Sequence, residues 1–303
     1  MCPDSRRSLP YIRGMLKPAY RLPLFIAALV LLSQCDVIED PVIPQPAGYR
    51  SDLYGEPPTF EEVAAGVQRV LVEDFTAHQC GNCPDAAIIA EGIAEGDDRV
   101  SVMAIHAGNL AATDDDHFDT DWTTEEGDVF WNQLEFQANP LGRVNRRPNP
   151  GNFFAPAQWA DEVNAALTEA PTLHLAGEVQ YVAANGHLNV HIFGQALADA
   201  PGAVNLAILV LESHIIDYQL DYSASPSVVE DYEFNHVLRG SLNGAIGLGF
   251  GDLADGMTEG ETALASFTYN WPAEWLAENA TILGVATDVD GVVLNVVELH
   301  VGE

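Results

Sequence analysis

Two cysteines, Cys80 and Cys83, stand three residues apart in the run Cys80-Gly81-Asn82-Cys83. They follow the strand-like run Val70-Leu71-Val72-Glu73-Asp74-Phe75-Thr76-Ala77-His78-Gln79 and precede Pro84–Glu95, a stretch of helical composition with apolar Ala86, Ile89, Ala90 and Ile93. That order sets two sulfurs at a helix N-terminus, where free N–H groups and the dipole stabilise a thiolate. A thiolate beside a second thiol can attack another disulfide and be resolved from it. The plainer alternative is a disulfide that only staples the first helical turn. A loop this short removes little entropy from the unfolded chain, so stability is a poor reason to keep it. His78 is close enough in sequence to stabilise a Cys80 thiolate, or else is a surface histidine. A charged His78 would make the pair more oxidising.

Other candidate groups are more scattered. His106 ends the apolar run Val100–His106, and His236 and Arg239 lie far downstream. His78, His106 and His236 with a cysteine would make a zinc set, but no second C-x-x-C or paired-histidine spacing supports it, and neither a metal nor a cofactor is expected. Asp114-Asp115-Asp116 with Asp119 and Asp121, and the pair Asp288 and Asp290, read as weak calcium ligands or, more simply, as solvated loops and a turn. Arg239, the only basic residue after Arg147, reads as a structural ion-pair partner or as a contact between two parts of the chain.

The front of the chain is an address. Arg6, Arg7, Arg13, Lys17 and Arg21 precede Leu24–Leu32, an apolar run too short to span a bilayer, which needs about 20 residues. It has the length of a signal-peptide core. Leu32-Ser33-Gln34-Cys35 then resembles a bacterial lipobox, which implies that Cys35 takes the lipid; a simple anchor or a cleaved secretory signal is the alternative. Met15 would begin a more ordinary signal. With Cys2 removed and Cys35 lipidated, the folded part keeps only Cys80 and Cys83, so a disulfide scaffold is excluded. An oxidising envelope favours a disulfide at rest.

Downstream of Cys35, 44 acidic residues face seven basic ones and lysine is absent. Such a surface repels nucleic acid and anionic lipid faces. It fits either an adaptation to high salt, where screening removes the self-repulsion, or an ordinary acidic secreted protein.

Four segments follow from the pattern: a signal over 1–35, a proline-rich tether over 36–58, an alternating β and α part over 59–170, and a β-rich part over 171–303. In the third, strands are expected at Val67–Ala77 and Val100–His106, a helix carrying Phe130, Trp131, Leu134 and Phe136, a short strand opened by Pro140, and a helix marked by Trp159, Val163 and Leu167. This is an α/β pattern. In the fourth, Thr172–Ala183 and Leu188–Phe193 alternate around Asn185-Gly186. Val204–Leu211, Leu264–Tyr269, Ile282–Thr287 and Val292–Val301 follow, the last after the turn Asp290-Gly291. This reads as an all-β sandwich domain.

Around the motif, 59–170 resembles a thioredoxin-like domain. Asp74 lies where that family keeps a buried acid, Cys80 matches its exposed nucleophile and Cys83 its resolving thiol. Pro140 matches its cis-proline, packed against the disulfide and exposing a backbone edge for an extended peptide. The resemblance implies that Cys80 attacks, Cys83 resolves and Asp74 accepts a proton through water.

A wider set is similar to the outer-membrane-protein-28-related family of bacterial lipoproteins. It comprises Glu73-Asp74-Phe75-Thr76, His78, Cys80-Gly81-Asn82-Cys83-Pro84, Ala104-Ile105-His106-Ala107-Gly108, Pro140, Gly142, Val144-Asn145-Arg146 and Asn235-His236-Val237-Leu238-Arg239. That similarity implies an outer-membrane lipoprotein with a thioredoxin-like half and leaves the reaction open. The expected partners are exported or envelope proteins, through disulfide exchange, with surface binding or adhesion on an inert scaffold as the alternative.

Overall fold

The computed structural model describes residues 48–302 apart from 115, 148–151 and 274. The signal, Cys35 and the first part of the tether lie outside the described residues. The strands of four or more residues are β1 (Val70–Thr76), β2 (Val100–His106), β3 (Leu141–Val144), β4 (Leu173–Val182), β5 (His187–Ala196), β6 (Asn205–Glu212), β7 (Ile215–Leu220), β8 (Val228–Phe234), β9 (Val237–Ser241), β10 (Thr262–Asn270), β11 (Ala280–Thr287) and β12 (Val293–His300). The main helices are α1 (Cys83–Gly96), α2 (Glu125–Trp131) and α3 (Trp159–Leu167).

The principal sheet is mixed, in the order β12-β11-β6-β9-β2-β1-β3, with Leu248–Gly249 beside β6 as its eighth strand. β1 pairs parallel with β2 and antiparallel with β3. It is buried on both faces although Glu73 and Asp74 interrupt its apolar residues. Val70 and Val72 pack with Ala86 and Ala90 of α1 and with Trp159 and Val163 of α3. Leu71 and Phe75 face the other way, onto Phe130 of α2. Further along the sheet, Ile208, Val210 and Ile282 pack against Leu175, Val190 and Ile192 of a three-stranded sheet ordered β10-β5-β4.

The structure is therefore mostly β with few helices, and its principal sheet takes strands from both 59–170 and 171–303. The seam is β9 beside β2, where Val237 is opposite Ala104 and the Ala104 N–H donates to His236 O at 2.9 Å. A pattern read strand by strand separates the two parts because this pairing is long-range.

Three local expectations change. α2 ends at Trp131, so Leu134 and Phe136 lie beyond the helix. From residue 48 the expected tether runs along the three-stranded sheet: Gly48 bridges Phe267, and the Tyr54 hydroxyl meets His187 Nδ1 at 2.6 Å. The β7–β8 hairpin was not among the expected strands.

One charged network ties β1 to β3. Buried Glu73 accepts from Arg143 Nε at 2.6 Å and from Arg146 Nε at 2.8 Å. The two guanidinium carbons lie 5.2 Å from the Phe75 centroid and 4.4 Å from that of Phe130. Burial pushes Glu73 up, but Arg143 and then Arg146 outweigh it and hold the carboxyl below its ordinary range. Asn145 and Arg146 adopt left-handed φ of 49° and 51°, which asparagine tolerates. Asn145 Oδ1 accepts the Leu71 N–H at 2.8 Å. Glu73→Ala would leave two guanidinium groups buried without a countercharge. The expected loss is about 3–5 kcal/mol in urea denaturation, and a loss below about 1 kcal/mol would contradict this account.

Candidate functional site

β1 delivers the chain to the motif and α1 leaves from it. Between them the Cys80 N–H donates to Ala77 O and the Cys83 N–H to Cys80 O, both at 3.0 Å. This turn brings the sulfurs into a disulfide of 2.05 Å with the Cα atoms 5.4 Å apart. Pro84 occupies the first helical turn, where its missing N–H costs nothing, and Asp85 complements the dipole there.

Behind the disulfide, Asp74, Thr76, Cys83, His106, Gln219 and Tyr232 are among the residues lining a small cavity of about 30 Å³. A buried water needs about 15 Å³, so one or two would fit. Asp74 Oδ1 and both ring nitrogens of His106 are buried here without a protein hydrogen-bond partner. Burial pushes Asp74 up to about 8. Burial, followed by the charges of His78 and Arg239, pushes His106 down to about 3. At neutral pH the cavity thus holds a mostly protonated carboxyl and a neutral imidazole.

In front, the disulfide is covered. Cys80 is 3 % exposed and Cys83 2 %. The resemblance implied an exposed Cys80; instead both cysteines are buried with Ala77 and Ala111, and the β7–β8 hairpin bonds to the loop that carries them. Gln219 Nε2 donates to Cys80 O at 3.1 Å, the Leu220 N–H to His78 O at 2.8 Å and the Tyr222 N–H to Gly81 O at 2.9 Å. The Tyr222 ring lies so close to Gly81 that a Cβ there would come within 2.5 Å of it.

His78 is buried rather than on the surface. Its Nε2 is 3.0 Å from Ala112 O, and its ring lies 5.2 Å from Phe118 and 6.4 Å from His106. The Asn139–Pro140 bond is cis, and Asn139 Nδ2 donates to Thr76 O at 3.0 Å, which ties the Pro140 turn to the end of β1.

The structure thus gathers Asp74, Cys83 and His106 around one cavity and sets His78 and Cys80 on the adjoining loop. The roles of Gln219, Tyr222 and Tyr232 went unread, because their place at the site depends on a contact between distant parts of the chain. His106 was visible as a strand end but was considered only as a metal ligand. Two other groups are structural. Arg239 pairs with Glu212 at 3.3 Å between Trp122 and Trp275, and Asp114 Oδ1 accepts the N–H groups of Asp116, His117 and Phe118.

Comparison with known proteins adds the family. The model described as "Outer membrane protein Omp28" matches residues 128–303. No curated protein matches the chain. HBP35 of Porphyromonas gingivalis superposes with a TM-score of 0.60 at 15 % identity, over 79 % of this chain and 77 % of that one. At that identity the likeness is one of fold alone. A domain of the outer membrane lipoprotein Omp28 from Porphyromonas gingivalis matches 43 % of this chain and 88 % of its own at 20 % identity, with a TM-score of 0.28 that carries no argument.

The two perturbed groups set opposite pH slopes. The folded state keeps the Asp74 proton to about pH 8, whereas the unfolded chain releases it near 3.8, so stability falls as pH rises between them. Folded His106 stays neutral down to about pH 3, so its contribution is lost as pH falls from 6.5. Asp74→Asn, with the disulfide intact, is expected to exceed the parent in stability at pH 8 by about 2 kcal/mol or more and by less at pH 5. Urea titrations at both values check this; an equal effect at both would contradict it.

Proposed function

The chain belongs to the outer membrane protein Omp28 family, and from that premise we propose that it is a lipoprotein, held by Cys35, that exchanges disulfides with exported or envelope proteins through Cys80 and Cys83. Its place at the outer membrane follows from the family. Among the described residues no helix is long and apolar enough to cross a membrane, and the lipid is the proposed attachment.

The observation that carries the exchange reading is the buried, unpartnered Asp74 in a small cavity that Cys83 also lines. A carboxyl at about 8 is close to the ordinary thiol value of about 8.5, so a proton passes between them at little cost. Acting on a client disulfide, the Cys80 thiolate attacks one sulfur, the client S–S bond breaks, and a mixed disulfide forms as the other client sulfur leaves. Asp74, once it has released its own proton to solvent, accepts that of Cys83 through a water-sized gap, and Cys83 attacks Cys80 Sγ. This restores the Cys80–Cys83 bond and releases the reduced client, two electrons having passed to it. In the oxidising direction the same steps run backwards and Asp74 returns the proton to the departing Cys83.

The surrounding geometry supports a thioredoxin-like reading of 59–170. The helix opens on the second cysteine, the acid lies beneath it, and the cis Asn139–Pro140 bond leads into the strand antiparallel to β1. His78 has Nε2 committed to Ala112 O, so its contribution to a Cys80 thiolate would be through space. One observation favours the second reading, a binding or adhesion protein with an inert disulfide: both sulfurs are buried.

Cys83→Ser removes the resolving thiol and should trap envelope proteins on Cys80 as adducts seen on non-reducing gels and dispersed by reductant. Cys80→Ser should give none. Absence of adducts on a folded Cys83→Ser protein that reaches the outer membrane would favour the binding reading.

A further inference from the structure

The hydrogen bonds from the β7–β8 hairpin to the motif loop all end on main-chain carbonyls, two of them from main-chain N–H groups and two from the Gln219 side chain. The carbonyls of His78 and Gly81 each accept an N–H from the segment that follows β7, from Leu220 and Tyr222. Gln219 Nε2 adds bonds to Cys80 O and, at 3.4 Å, to Ala77 O. The end of β7 and the turn after it are thus laid along the backbone of the motif loop, with the largely exposed Tyr222 ring over Gly81. Sequence-independent main-chain bonds with a side chain for selectivity are how an exposed backbone edge takes a peptide.

The element that supplies this segment is weakly attached. β7 and β8 form a two-stranded sheet separate from the others, and such a ribbon is marginal in isolation. Its root is fixed: Phe234 is buried with Trp122 and Val237, and Ile215 and Tyr232 pack against them. Toward the tip, most residues are half-buried or exposed. The tip closes on itself through the Asp221 N–H to Ser227 O bond at 2.7 Å and is held to the body by the motif-loop contacts and the stacking of Tyr218 on His117.

We propose that the backbone edge from Ala77 to Gly81 is a docking edge for an extended segment of a client polypeptide, and that the hairpin tip, Gln219 to Tyr222, occupies it at rest. A client reaches Cys80 by displacing the tip, and an aromatic side chain two residues beyond its first main-chain contact takes the place of Tyr222. This rests on the exchange reading, since it names the partner class of the same disulfide. It also explains the glycine of Cys80-Gly81-Asn82-Cys83: any side chain at Gly81 would strike the seated ring.

The test is reduction of the purified full chain by dithiothreitol, followed by quenching and thiol counting. A reagent thiolate attacks Cys80 Sγ, the Cys80–Cys83 bond breaks with Cys83 leaving, and the second reagent thiol displaces Cys80. Two electrons pass to the protein and the reagent closes as its own disulfide. If the tip must withdraw first, the rate on the unaltered protein levels off as dithiothreitol rises. Gln219→Ala removes the Nε2 bonds and Tyr222→Ala the ring over Gly81; the lost bonding alone is worth about a factor of five to ten, so the pair should raise the rate at low reagent by about tenfold or more. A synthetic peptide spanning Asp217–Ser223 should then slow reduction of that double variant again by re-covering the edge.

A rate strictly proportional to reagent and unchanged in the double variant would overturn the gate. A faster variant that the peptide leaves unaffected would overturn the docking edge. Because dithiothreitol reports access alone, failure here is distinct from failure to form client adducts.

Discussion

Glu73 and Asp74 are neighbours on β1, point to opposite faces, and are both buried, and the site depends on how each is accommodated. Taking a carboxylate out of water is costly unless it is paired or neutralised. Glu73 is paired, with two arginines from β3 and the turn after it, and this fixes β1 against the strand that follows the cis Asn139–Pro140 bond. Asp74 has no such partner and keeps its proton. One residue therefore ties the strands together, and under the proposed exchange the other handles the proton beneath Cys83. Exchanging their faces by a one-residue slip of β1 would destroy both functions.

The rest of the molecule can be understood as closing that arrangement off. α1 and α3 cover one face of β1, and α2 covers the other. β9 continues the sheet beyond β2, and through it the β-rich part of the chain is joined to the motif. The connection between β6 and β9 is the β7–β8 hairpin, so the same part that extends the sheet also reaches over the disulfide. Under the proposed gate, burial would limit reaction with stray small thiols while leaving the pair available to a polypeptide able to displace the hairpin tip.

Much of this was legible in the residues where the signal is local. β1, α1 and β2 follow from an apolar run, a C-x-x-C with proline behind it, and a second apolar run. The spacing of Trp159, Val163 and Leu167 marks α3, and Asn185-Gly186 marks the β4–β5 hairpin. The buried acid and the cis proline are what the resemblance implies, and the structure has Asp74 out of water and Pro140 after a cis bond. What stayed hidden was long-range. Ile215–Leu220 and Val228–Phe234 carry Asp217, Glu230, Asp231 and Glu233 among their apolar residues, so neither strand stands out from its own text. The β9–β2 pairing and the strap from residue 48 leave no local mark for the same reason.

The central claim is that Cys80–Cys83 is an exchangeable pair and not a staple. Its reduction potential, measured by equilibration with glutathione buffers and thiol trapping, tests this most directly. The account predicts a value above about −270 mV, within the range of disulfide-exchanging proteins. A value below about −300 mV, typical of structural disulfides, would contradict it and leave the fold as a scaffold for binding.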